Sequence, residues 1–93
     1  MGSYDGYRQW KNWDAEGFAR YTRAEANYFH QELAMAGLSS LGGCRVLEIG
    51  FGNGAFAAWA KDCGAEYWGV EAIADLVLQA KKAGIKAFHA SDL

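Results

Sequence analysis

The residues best suited to chemistry stand in one run, VLEIGFGNGAF, at positions 46–56. Gly50, Gly52 and Gly54 strip side chains from a tight turn, so the backbone can take positive φ and a ligand can approach it closely. The free amides of a following helix then point at that ligand. Glu48 places a carboxylate two residues before the first glycine, and Glu71, in GVEAI, lies 21 positions after Gly50. An acid about 20 residues past such a turn accepts hydrogen bonds from two ribose hydroxyls. The pattern reads as amides and carboxylates converging on a nucleoside-bearing ligand. His30 and His89 act as general bases only if the fold brings either one to the strand ends.

These residues need elements to hold them. Residues 44–49 form an apolar run with branched side chains, and residues 54–63 are Ala-rich with Phe56, Trp59, Ala60 and Cys63 on one helical face. Gly64 caps that helix. The same order then repeats: a strand over 66–70, a helical face of Ile73, Leu76, Val77 and Ala80, a stop at Gly84, and a third strand over 85–90. Lys81 and Lys82 suit the negative end of the second helix dipole, and with Lys86 they read as solvated surface. Helices linking strands at this spacing are crossover connections, which predict an α/β fold with a parallel, right-handed βαβαβ unit. Ligands on such sheets sit at the carboxyl ends of the strands. Ahead of it, Phe18, Thr22, Ala26, Phe29, Leu33 and Ala36 fall in one stripe at helical period, with Gly37 supplying the left-handed stop and Leu38 folding back. Two regions follow: a helical leader over 1–42 and the ligand-binding βαβαβ half over 43–93.

Composition narrows the classes. The 93 residues carry a net charge of −2 and include four Trp, five Tyr and five Phe, which is material for a packed core. No basic patch is legible, so no nucleic acid is expected as partner. Cys44 and Cys63 show no metal or redox spacing and read as unpaired buried thiols in a reducing compartment. The first residues lack the apolar core of a secretory signal, and no window approaches a bilayer-crossing length. A cytoplasmic chain without bound metal and without a membrane partner is expected. Trp10, Trp13, Tyr21, Tyr28 and Phe29 read chiefly as core at helical spacing, with Trp10, Trp13 and Tyr21 the candidates for a lid that excludes water.

The run from Glu48 to Gly54 resembles the E/D-x-G-x-G-x-G signature of class I, Rossmann-like S-adenosylmethionine-dependent methyltransferases, and the resemblance covers about residues 44–93. It implies a three-layer fold with strand order 3-2-1, preceded by N-terminal helices, and S-adenosyl-L-methionine as cofactor with S-adenosyl-L-homocysteine as product. It assigns the turn Gly50, Phe51, Gly52, Asn53 and Gly54 to the methionine part of the cofactor, with Glu48 setting the turn and its polar network. Glu71 would bind the ribose, while Ala72 and Ile73 lie against the adenine. In HASDL, Asp92 would accept from the exocyclic amine and the Leu93 amide would donate to the ring. Catalytic residues in this family sit after a fourth strand, beyond Leu93, so none is assigned, and the acceptor is expected to be a small molecule. A chain that stops there leaves the edge of the first strand unpaired, which favours a homodimer through that edge or through bare helix faces.

The competing reading is a nicotinamide or flavin site of an oxidoreductase, since Gly50, Gly52 and Ala55 also satisfy G-x-G-x-x-G/A with Glu71 as the ribose acid. Against it, such strands ordinarily carry an apolar residue where Glu48 stands, and Gly54 gives the methyltransferase spacing. A non-catalytic, truncated fragment is the third reading.

Overall fold

The computed structural model describes residues 17–92. Helix α1 (Arg23–Met35) leads into two βα repeats and a third strand: β1 (Arg45–Ile49), α2 (Ala55–Asp62), β2 (Glu66–Glu71), α3 (Ala74–Lys82), β3 (Ala87–His89) and a short 3₁₀ turn, Ala90–Asp92. The three strands form one parallel sheet in the order β1-β2-β3.

Helix α1 begins later than the apolar stripe suggests. Thr22 is its N-cap, accepting from the Glu25 amide while the Glu25 carboxylate accepts from the Thr22 amide. This reciprocal capping box satisfies two helix-end donors and fixes the start. Phe18 therefore precedes the helix, yet it is buried in the core beside Leu41 and Phe51. The helix stops as expected: Gly37 is left-handed (φ +82°), and the Leu38 amide returns to the Leu33 carbonyl at 2.9 Å.

Register places Val46, Glu48, Tyr67, Gly69, Glu71, Ala87 and His89 on one sheet face. That face carries the core, in which Tyr67 and Ala87 meet Ala57, Trp59 and Ala60 of α2 and Leu76, Val77 and Ala80 of α3. Helix α1 packs outside α2 through Phe29, whose ring lies 5.1 Å from Phe56 and 5.3 Å from Trp59. On the opposite face Leu47 (63 %), Ile49 (71 %) and Phe88 (45 %) are exposed. Helices α2 and α3 thus cover the same face of the sheet with α1 outside α2, so the described residues lack the helices on both faces that the three-layer expectation carries. Strand β3 is shorter than the run 85–90. Ile85 is buried but lies before the strand, and residues 90–92 turn into the 3₁₀ helix. Among the described residues no helix is long and apolar enough to cross a membrane.

Candidate functional site

The carboxyl ends of the three strands bring the sequence-selected residues to one edge of the sheet. After β1 the ladder runs one step further, the Gly50 amide donating to the Val70 carbonyl at 2.7 Å. Gly50, Gly52 and Gly54 all have positive φ (76°, 59° and 80°), a region that side-chain-bearing residues avoid. Their surroundings differ. A Cβ on Gly50 would meet nothing within 4 Å, so open space lies over it, whereas one on Gly54 would press against Phe18 and Ala19 at 3.3–3.4 Å. Gly54 serves the packing of the leader and the start of α2. Gly50 leaves room for a ligand.

Two residues of this turn have partners within the fold. The Ala55 amide, at the start of α2, donates to Asn53 Oδ1 at 3.2 Å, and the Ala19 amide donates to the Asn53 carbonyl at 2.7 Å. Asn53 thus closes an Asx turn ahead of α2 with its side chain and clamps the leader with its carbonyl. Phe51 is buried, its ring packed beside Gly69, so anything it offers a ligand comes from its backbone.

Glu71 is the buried acid of the site, 8 % exposed. Its Oε1 accepts from the Gly52 amide at 3.1 Å, and its Oε2 accepts from the Ala72 amide at 2.8 Å and the Ile73 amide at 3.1 Å. A carboxylate has about four acceptor positions. Three are taken, and the one left is on Oε1. The sequence pattern leads to a grip on two ribose hydroxyls; as folded, Glu71 keeps a single acceptor position, because its other positions stitch the glycine turn to the loop that enters α3.

Glu48 also finds a partner. Tyr67 Oη donates to Glu48 Oε1 at 2.6 Å. Burial pushes the Glu48 carboxyl above its usual range, the Tyr67 hydrogen bond partly offsets this, and the negative charge of Glu71 adds to the rise. Burial first, then the neighbouring Glu48, drives the Tyr67 phenol far above its ordinary value. Tyr67 therefore keeps its proton and acts as the donor. Gly69 makes this possible: a Cβ there would lie 2.6 Å from Phe51 Cδ2 and 2.7 Å from Tyr67 Oη. Glycine in the strand lets the Phe51 ring and the phenol pass the sheet together.

The third wall is the turn after β3. His89 lies level with Glu71 in register, its Nε2 3.0 Å from the Ala72 carbonyl and its Nδ1 2.7 Å from Ser91 Oγ. With both ring nitrogens engaged, His89 is not placed as a general base. Asp92 is exposed at the end of this turn, Ala72 is exposed, and Ile73 is half-buried against the core. Leu93 lies outside the described residues, as do Trp10 and Trp13. Tyr21 is not at this edge: its hydroxyl donates to Asp62 Oδ2 at 2.6 Å. Asp62 ends α2, about 12 Å along the helix from the glycine turn, so Tyr21 is held away from the ligand edge and the lid role does not suit it. His30 also lies elsewhere, on α1 with its ring edge-on to Trp59 at 5.0 Å.

Sequence reasoning overlooked Tyr67, Gly69 and Ser91. A glycine inside an apolar strand, flanked by Trp68 and Val70, was the available signal for Gly69, since such a glycine marks a close approach. Among the described residues no group of three or more Cys, His, Asp or Glu is arranged to hold a metal. Comparison of the chain with models of protein families, with curated proteins and with solved structures gave no match.

Proposed function

We propose that the chain is the S-adenosylmethionine-binding part of a Rossmann-like methyltransferase, whose strand ends hold the cofactor while a small-molecule acceptor is methylated. The observation that carries this reading is the Glu71 carboxylate, which sits 3.1 Å from the Gly52 amide and so belongs to the glycine turn, with one acceptor position left for a ribose hydroxyl. Open space over Gly50 gives the turn its cradle. Glu48 favours S-adenosylmethionine over a dinucleotide, because a polar pair with Tyr67 occupies the strand position where nicotinamide and flavin sites carry an apolar residue.

The cofactor, when bound, supplies a methyl group already activated by its sulfonium charge, so the protein's work is chiefly alignment and exclusion of water. Gly50 and Gly52 offer backbone, Glu71 holds the sugar, and Ala72, Ile73 and Asp92 flank the base. A cytoplasmic location accords with the two free thiols, Cys44 and Cys63.

Calorimetric titration with S-adenosylhomocysteine and, separately, with NADH tests the proposal. Heat with the first ligand alone is expected. Heat with NADH alone would replace the reading by an oxidoreductase nucleotide site, and heat with neither would leave a non-catalytic fragment.

A further inference from the structure

We infer that His89 is a positioning residue, a strut that couples the loop after β2 to the turn after β3 so that residues 72–73 and 91–92 form one wall for the base of a bound nucleoside. The assignment to a base rests on the function proposed above; the coupling itself does not.

The ring's hydrogen bonds fix its chemistry. The Ser91 amide donates to His89 Nδ1 at 3.1 Å, and a backbone N–H cannot accept. Nδ1 must therefore carry a lone pair, and the proton of the neutral ring is on Nε2. Nε2 faces the Ala72 carbonyl at 3.0 Å, which can only accept, so this proton is donated to it. Ser91 Oγ, 2.7 Å from Nδ1, shares the single lone pair there with the Ser91 amide. One tautomer is compatible with all three contacts. The imidazole thus spans from β3 to the Ala72 carbonyl, while the amides of Ala72 and Ile73 are held by Glu71. Through Glu71 Oε1 the same chain of hydrogen bonds reaches Gly52. The glycine turn, the loop after β2 and the turn after β3 are linked in series, with the His89 side chain joining the last two.

A strut of this kind decides specificity rather than reaction. The sugar end of a nucleoside meets Glu71 whether or not His89 is present, but a base needs both its flanks at a fixed separation. Loss of the imidazole should weaken ligands that carry the base and spare those that lack it.

The test uses the full chain with His89→Phe, which keeps ring volume without the hydrogen bonds, and His89→Asn, whose oxygen replaces Nδ1 alone. Amide hydrogen exchange without ligand is the first readout. In His89→Phe the amides of residues 72–73 and of Ser91 are expected to exchange about tenfold faster, with β1 and β2 unchanged, as loss of about one net hydrogen bond on each side predicts. His89→Asn should restore protection at Ser91 and not at 72–73. Wild-type exchange in His89→Phe, or faster exchange at Ser91 only, overturns the strut. The second readout compares S-adenosylhomocysteine with S-ribosylhomocysteine, the same ligand without its base. His89→Phe should bind the first about tenfold more weakly and the second unchanged. Equal weakening overturns the base-specific role. If the wild-type protein takes up neither ligand, the proposed function falls, and the exchange result alone judges the coupling.

Discussion

Replacing Glu71 by Gln isolates the work of one carboxylate oxygen. In the folded chain Oε1 accepts from the buried Gly52 amide, and Oε2 accepts from the Ala72 and Ile73 amides. A Gln side chain keeps one acceptor oxygen. Directed at the Ala72 and Ile73 amides, it turns its NH₂ toward the Gly52 amide, donor against donor, and the reverse orientation loses two bonds rather than one. The smaller loss is one hydrogen bond to a charged group, about 1.5–3 kcal/mol. The total stability of a chain this size is about 5–15 kcal/mol, so this is a large share. At about 4–8 °C per kcal/mol for a small domain, Glu71→Gln should lower Tm by roughly 6–24 °C. Trp59, 3 % exposed, reports the transition by fluorescence, and urea midpoints give the same difference independently. Glu71→Ala should fall further, because the Ala72 and Ile73 amides lose their acceptor as well as the buried Gly52 amide. A Glu71→Gln protein melting within a degree or two of wild type would refute the stitching role of the carboxylate, and with it the geometry on which the ribose assignment stands.

Gly69→Ala should cost about 1–3 kcal/mol, since its Cβ would meet Phe51 Cδ2 and Tyr67 Oη at 2.6–2.7 Å; an unchanged urea midpoint would show that the ring and phenol have room to spare. Glu48 holds its proton more tightly folded than unfolded, so the stability due to this group is fully present below the unfolded carboxylate value and is lost as pH rises through the folded value. Glu48→Gln should remove this component, leaving the variant the more stable protein at neutral pH; Tm measured from pH 4 to 8 checks it, and equal slopes for both proteins would contradict it. Tyr67→Phe removes the hydrogen bond that lowers the Glu48 carboxyl, so the titration midpoint of that carboxyl, followed by carbon NMR, should move up. For association, Ile49→Lys should shift the chain toward monomer in sedimentation velocity, because Leu47, Ile49 and Phe88 are exposed on one sheet face beside the edge of β1; a monomeric wild type at all concentrations would rule that contact out.

Much of this arrangement is legible because it is local. Glycines at 37, 64 and 84 end helices as their spacing suggests, each with positive φ, and the apolar face of Leu76, Val77 and Ala80 is buried as its period demands. The positive φ at Gly50, Gly52 and Gly54 is likewise written in a few adjacent residues. Where the reading failed, a competing local signal or a distant partner decided the outcome. Thr22 continued the helical stripe by spacing, but its hydroxyl caps the helix more effectively than it packs in one. Phe18 kept its burial while losing its helix, since the Ala19 amide is drawn to the Asn53 carbonyl, a contact between residues 34 positions apart that no local pattern encodes.

The polar half of the site depends on register, and register is where local sequence says least. Tyr67 meets Glu48 because Val46 lies level with Tyr67 and Glu48 level with Gly69; slipping the pairing by one residue would send the phenol and the carboxylate to opposite faces. Each member looks ordinary alone: an acid in a strand, a tyrosine in the next, and a glycine where a larger residue would pack better. Together they form a buried donor and acceptor whose mutual fit requires the glycine. The same holds for Glu71 and His89, level with each other on β2 and β3, one gathering amides and the other joining two loops. A carboxylate that the pattern assigns to two ribose hydroxyls thus has one acceptor position left, because the fold uses the other three to hold the turn. On the proposed function, ligand binding and the stability of the glycine turn draw on one side chain at position 71, so substitutions there should change both together, whereas His89→Phe should leave the glycine turn intact and weaken only ligands that carry the base.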